Sequence, residues 1–144
     1  MRAAVRLLAM ATFVLGCACA LAAVNTPAPL AGTRWQLVRI IGLDDQLTIP
    51  DDPTRYAVEF DASGRASLRA DCNRTLTTWT SPGAGRVQFG AFASTRAACG
   101  PASLADRALR ELPAIRSYSI RDGHLFLAAL DETAAIWEFA PLTE

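Results

Sequence analysis

Outside the first two dozen residues, the groups able to do nucleophilic, redox or metal chemistry are few. Cys72 in "ADCNRTLTTW" and Cys99 in "STRAACGP" are the only thiols there, His124 is the only histidine, and the chain has no lysine. A redox dithiol wants a close C-x-x-C pair with a depressed thiolate pKa, and this spacing does not provide one. A zinc site wants four convergent ligands, and two cysteines with His124 supply three unless a carboxylate joins them. A cysteine nucleophile with His124 as its base is a formal option that a disulfide would remove. Without lysine there is no Schiff-base or phosphate-loop residue, and no Gly-x-Ser-x-Gly elbow offers a serine nucleophile. The expectation is a domain that is not an enzyme, with no catalytic residues, no metal and no cofactor.

The N-terminus decides how the thiols are read. "MRAAVR" is positively charged and "LLAMATFVLG" is an apolar stretch too short to span a bilayer comfortably, the pattern of an export signal. "VLGC" resembles a lipobox that would lipidate Cys17, whereas "ALAA" offers an ordinary cleavage site. Leu15 is bulky for a lipobox and "CACALAA" stays apolar, so the sequence favours removal of residues 1–22 and a soluble periplasmic or secreted product. Lipid anchoring through Cys17 is the alternative. In an oxidising compartment two thiols in one small domain usually pair, so a structural Cys72–Cys99 disulfide is expected, against two buried free thiols.

Loss of Arg2 and Arg6 with the leader leaves 12 arginines against 14 acidic residues, a net charge of −2. No nucleic-acid patch follows from that balance, and contact with a membrane would require the lipid at Cys17. Residues 23–30 read as a proline-broken linker and residues 31–141 as one domain, expected to act as a monomer.

Within the domain the period is mostly two. Tyr56, Val58 and Phe60 share one face of "RYAVEF", and Ala66, Leu68 and Ala70 share one face of "RASLRA", with "DASG" as the turn between them. "TRWQLVRIIG", "CNRTLTTWT", "RVQFGAF", "RSYSI", "HLFLAAL" and "AAIWEFA" supply the other strands, and "RDG" signals a hairpin beside His124, there a surface residue. One segment changes period. Ser103 is placed to cap a helix of about ten residues whose apolar stripe is Leu104, Ala105, Ala108, Leu109 and Leu112. On its outer side Asp106 with Arg110 and Arg107 with Glu111 are spaced for ion pairs. The fold class is mainly β (α+β): a compact antiparallel, barrel-like meander with one short amphipathic helix.

Several motifs arrive together in register: "LAGTRWQLVRIIG", "VEFDASGRASLRADCNR", "FGAFASTRAACG", the helix, and "YSIRDGHLFLAALD...AAIWEF". In this order the chain resembles the META domain, as carried by HslJ-like bacterial envelope proteins. The resemblance implies a β-barrel-like fold in exported or lipid-anchored proteins, with heat-shock and drug-tolerance associations but no mechanism. The chain departs from the family pattern at Asp71, where a glycine is usual before the C-N pair. It departs again at Thr77, Thr78 and Trp79, where Gly-x-Tyr is usual.

Asn73, Arg74, Thr95 and Arg96 flank the two cysteines. Such short polar groups ordinarily satisfy loop backbone, and an interaction loop is the functional alternative. Asp44, Asp45, Asp51 and Asp52 read as solvated loop charges. Trp35, Trp79 and Trp137 fit a core, or else the mouth of a ligand barrel. Two functions follow: an interaction or stress-related module with an unidentified envelope protein as partner, or a lipocalin-like binder of a small apolar ligand. They differ in whether Tyr56, Phe60, Leu68, Phe89, Trp137 and Phe139 fill the interior.

Overall fold

The computed structural model describes residues 30–130 and 134–142. The leader, both processing sites, Cys17 and the linker through residue 29 lie outside the described residues. Ten strands form one antiparallel system: β1 Thr33–Ile41, β2 Leu47–Thr48, β3 Tyr56–Phe60, β4 Arg65–Ala70, β5 Asn73–Thr80, β6 Gln88–Phe89, β7 Ala93–Ser94, β8 Ser117–Arg121, β9 His124–Ala128 and β10 Ile136–Pro141. The spatial order is β6-β5-β4-β3-β1-β10-β9-β8, with β2 added on β1 and β7 on β5.

The order departs from a simple meander. Two meanders, β3 to β6 and β8 to β10, are joined through the first strand, which pairs with β3 over Thr33–Gln36 and with β10 over Trp35–Ile41. A register shift between Leu37 and Arg39 breaks the alternation of the first strand, so that Leu37 and Ile40 are both buried. The free edges approach each other through an isolated bridge between Arg86 and Ser117, with Val87 N donating to Arg116 O (3.1 Å) and Tyr118 N to Gly85 O (2.9 Å). A nearly closed barrel results, and little strand edge is left unpaired.

The turns follow from side-chain chemistry. In the β3–β4 turn, Asp61 Oδ1 accepts from Ser63 N, Ser63 Oγ and Arg65 N, each at 2.8 Å. Asp122 (φ 51°) and Gly123 (φ 79°) are both left-handed, as a two-residue primed turn between β8 and β9 requires. "RVQFGAF" makes only the two residues of β6. Phe89 packs inward against Phe60, the ring centroids 6.1 Å apart, and Gly90 N donates to Thr78 O (2.9 Å) where a Cβ would collide with the Thr78 hydroxyl.

Helix α1 spans Ala105–Glu111 and continues as a 3-10 turn over Leu112–Ala114, ten residues together. The cap falls one residue later than the sequence pattern implies: Leu104 occupies it, with no side-chain cap of its own. Ser103 Oγ instead accepts from Ala105 N (3.1 Å), and the Tyr56 hydroxyl from strand β3 accepts from Leu104 N (2.9 Å). These two bonds satisfy donors that a helix start leaves open and fix the helix against the sheet. Of the two expected i,i+4 pairs, Arg107 and Glu111 meet at 2.8 Å; among the described residues Asp106 and Arg110 do not.

The inward faces form one core. Trp137, Phe60, Leu37, Ile40, Ile115, Leu125, Leu127, Val58 and Val87 are almost fully buried, and Ala108 and Leu112 of the helix close over it. Each tryptophan belongs to this packing, and each indole N–H has a partner within the chain. Trp35 Nε1 donates to Thr33 Oγ1 (2.7 Å), Trp79 Nε1 to Asp61 O (3.3 Å) and Trp137 Nε1 to Glu111 Oε2 (3.0 Å). Among the described residues no helix is long and apolar enough to cross a membrane.

Candidate functional site

The barrel interior is not a ligand chamber. Tyr56, Leu68, Phe89, Trp137 and Phe139 surround a cavity of only about 20 Å³. That is room for about one water, against the several hundred Å³ of ordinary ligand pockets. Large aromatic side chains pack against one another on the inner face, Phe60 with Trp79 edge-on at 5.3 Å among them. The lipocalin-like alternative is corrected on this ground.

The two cysteines form the expected disulfide, Cys72 to Cys99, with Cα atoms 5.7 Å apart. Cys72 lies in the two-residue turn between β4 and β5, whose flanks Ala70 and Asn73 are register partners. Cys99 lies in the irregular segment before the helix. With both sulfurs committed, neither is a thiolate nucleophile or a metal ligand.

Asn73 and Thr95 work inside this junction. Asn73 is 1% exposed; its Oδ1 accepts from Ala97 N (2.8 Å) and from Thr95 Oγ1 (3.1 Å), and its Nδ2 donates to Ala97 O (3.2 Å). Thr95 Oγ1 also accepts from Arg74 N (2.9 Å). The pair at 73 and 95 thus satisfies loop backbone, the ordinary role of such residues, while Arg74 and Arg96 are exposed.

Asp71 takes a left-handed φ of 57°. That explains the glycine usual at this position and why an aspartate, which tolerates the region better than most residues, can replace it. Its buried carboxylate is paired with the Arg55 guanidinium. Asp52, a loop charge in sequence, caps the turn before β3 by accepting from Thr54 N (3.0 Å) and Thr54 Oγ1 (2.6 Å). These hydrogen bonds, Thr54 Oγ first, outweigh its desolvation and hold its pKa below the usual carboxylate range.

His124 begins β9 beside the Asp122-Gly123 turn, but it is not a free surface residue. Its Nδ1 lies 2.7 Å from Glu138 Oε1, and Arg39 Nε donates to Glu138 Oε2 at 2.5 Å. Glu138 points away from the core yet is 3% exposed, covered by these partners. Burial pushes its pKa up; the hydrogen bonds from His124 and Arg39, with their charge, outweigh that and hold it below the ordinary value. The sequence carries no signal for this cluster, because Arg39 and Glu138 meet only through the pairing of β1 with β10. Among the described residues no group of three or more His, Cys, Asp or Glu side chains is gathered around a metal-sized space.

A sizeable recess that combines several charged groups lies outside the barrel, on β1, β3, β4 and β5. It has a volume of about 480 Å³. Alternation builds it: while Trp35, Val58, Leu68 and Thr75 point inward, the residues between them face out. Register then aligns two rows across the four strands. One row is Arg34, Glu59, Ser67 and Leu76; the other is Gln36, Ala57, Arg69 and Arg74. Arg34 Nε lies 3.5 Å from Glu59 Oε2. Leu142, whose N–H donates to Arg34 O (2.9 Å), closes one end, and Leu76 at 63% exposure forms an apolar rim. Of the four polar residues flanking the cysteines, only Arg74 reaches this groove.

Comparison with known proteins agrees with the geometry. The chain superimposes on the NMR structure of a protein from Burkholderia xenovorans with a TM-score of 0.67 at 21% identity, over 80% of this chain and 85% of that one. It also superimposes on the crystal structure of a DUF4847 family protein from Bacteroides vulgatus, with a TM-score of 0.55 at 16% identity, over 77% of this chain and 93% of that one. At these identities the likeness is one of fold. No curated protein matches the sequence. The family model of the META domain matches residues 28–141, and the chain belongs to that family.

Proposed function

We propose that this META domain is a non-catalytic interaction module of the cell envelope, exported by residues 1–22, and that it works through the groove on its outer sheet face. The observation that carries this reading is the contrast of volumes. The interior offers about 20 Å³ and the outer groove about 480 Å³, and only the latter is in the range of binding pockets. The non-catalytic part is supported by the cysteines, whose sulfurs are tied up in a disulfide, and by His124, whose Nδ1 is engaged by a structural carboxylate.

Site-specific photo-crosslinking in intact cells tests the groove. A photoreactive residue at Ser67 or Leu76 should give a discrete adduct that the same residue at Arg110, exposed on the helix, does not. Equal adducts at all three positions, or none at the groove positions, would sink the reading. Mass spectrometry of the mature N-terminus tests export: a chain beginning at residue 23 supports a soluble product, and a diacylated Cys17 would replace it with an anchored one.

A further inference from the structure

Arg69 and Arg74 are directly opposite each other in the β4–β5 ladder, and both are exposed. Like charges in that position destabilise a sheet. Four arginines elsewhere meet a carboxylate: Arg34 with Glu59, Arg39 with Glu138, Arg55 with Asp71 and Arg107 with Glu111. Among the described residues neither Arg69 nor Arg74 meets a carboxylate. Arg69 Nη1 makes only a long 3.4 Å contact with Thr54 O. Arg74 Nη1 donates to Asp71 O (3.0 Å) and Asn73 O (3.2 Å). The remaining donors of both guanidinium groups are uncommitted. Among the described residues the groove they line holds three arginines and one glutamate, a sum of +2, in a chain whose charges sum to zero.

We propose that the groove binds a small phosphorylated molecule, with its phosphoryl group held between Arg69 and Arg74. A carboxylate is satisfied by one guanidinium fork, whereas two adjacent forks present donors to the three free oxygens of a phosphate monoester. Such a ligand would also neutralise the opposed cations. Ala57, the register neighbour of Arg69, leaves space beside the pair. Gln36 and Ser67 offer neutral hydrogen bonds to the rest of the molecule, and Leu76 and Leu142 flank its less polar part. The recess of about 480 Å³ suits a molecule of this size. This assignment rests on the groove being the working surface and adds the chemistry of its ligand.

The test uses the full mature chain at low, constant ionic strength, titrated with inorganic phosphate and glycerol 3-phosphate, with acetate and chloride as controls. Phosphate and glycerol 3-phosphate should bind one per chain, moving amide resonances of β4 and β5. Arg69→Gln and Arg74→Gln should each weaken binding by about tenfold or more, and the double variant should abolish it, with Arg110→Gln unchanged. Phosphate should raise the Tm of the wild type and leave that of the double variant unchanged. Failure of both phosphates to bind, equal binding by the double variant, or binding only to phosphatidylglycerol vesicles would overturn the assignment. If phosphates fail while groove crosslinks persist, the ligand class falls and the interaction reading stands.

Discussion

Asn73 and Ala97 pair as two peptide groups would: the side-chain amide donates to Ala97 O at 3.2 Å and accepts from Ala97 N at 2.8 Å. A buried side chain thereby extends the sheet onto a segment with no strand of its own. The adjacent Cys72 ties the same segment through Cys99. The C-N pair is thus one structural device with a covalent half and a hydrogen-bonded half.

Removing the hydrogen-bonded half should be costly. Asn73→Ala leaves Ala97 without its partners, and its loss should lower unfolding free energy by about 2 to 4 kcal/mol, since several bonds in a buried site go together. Urea denaturation measures it; a loss within experimental error would mean that the Ala97 pairing contributes nothing.

The covalent half should contribute roughly 2 to 4 kcal/mol, lost on Cys72→Ser with Cys99→Ser. Because both halves hold one segment, the double loss should not be additive with Asn73→Ala, and a double-mutant cycle should show coupling above about 0.5 kcal/mol. Additive losses would show that the two ties act on separate units.

At Asp71 two effects separate by residue choice. Asp71→Gly gives up the pairing with Arg55 but suits the left-handed backbone, whereas Asp71→Ala gives up the pairing and strains the turn as well. Alanine should therefore be the less stable variant by about 1 kcal/mol. If thermal melts rank the two the other way, the conformational account of the usual glycine is wrong.

Glu138 makes stability depend on acid. Its folded pKa lies below the ordinary 4.5, so the folded state favours the ionised form. The resulting stabilisation is complete above the unfolded-chain value and is lost as pH falls through that value and then through the lower folded one. Glu138→Gln should flatten this part of the profile and lower stability near neutrality, where Arg39 loses its counter-charge. Denaturant melts between about pH 3 and 7 would show it. Asp52 and Asp61, also held low by turn hydrogen bonds, should leave a residual acid slope. Identical profiles for variant and wild type would remove Glu138 from the account.

Much of the fold is legible in the chain because its signals are local. Tyr56, Val58 and Phe60 alternate with wet neighbours, and "DASG" and "RDG" carry their own turn chemistry. The disulfide is legible from two thiols behind an N-terminus that reads as an export signal. The inner face of β5 is less so, because Asn73, Thr75 and Thr77 are buried polar residues with no apolar period to betray them. The groove is not legible at all. Arg69 and Arg74 become opposite neighbours only through the two-residue turn at Asp71 and Cys72, and Arg34 joins them only because β1 lies beside β3. Pairing between strands distant in sequence leaves no trace in periodicity.

The central place of β1 has a kinetic consequence. Thr33–Ile41 needs Ile136–Pro141 as its neighbour, so the sheet cannot be completed until that segment, about a hundred residues later, is available. Contacts of such long sequence separation must bear their loop-closure entropy before they stabilise anything, which makes folding slow. The two meanders can form early, each from neighbouring hairpins, but they remain separate halves until first and last strands meet. A growing chain can therefore order its hairpins early, but the barrel sets only once β10 pairs with β1.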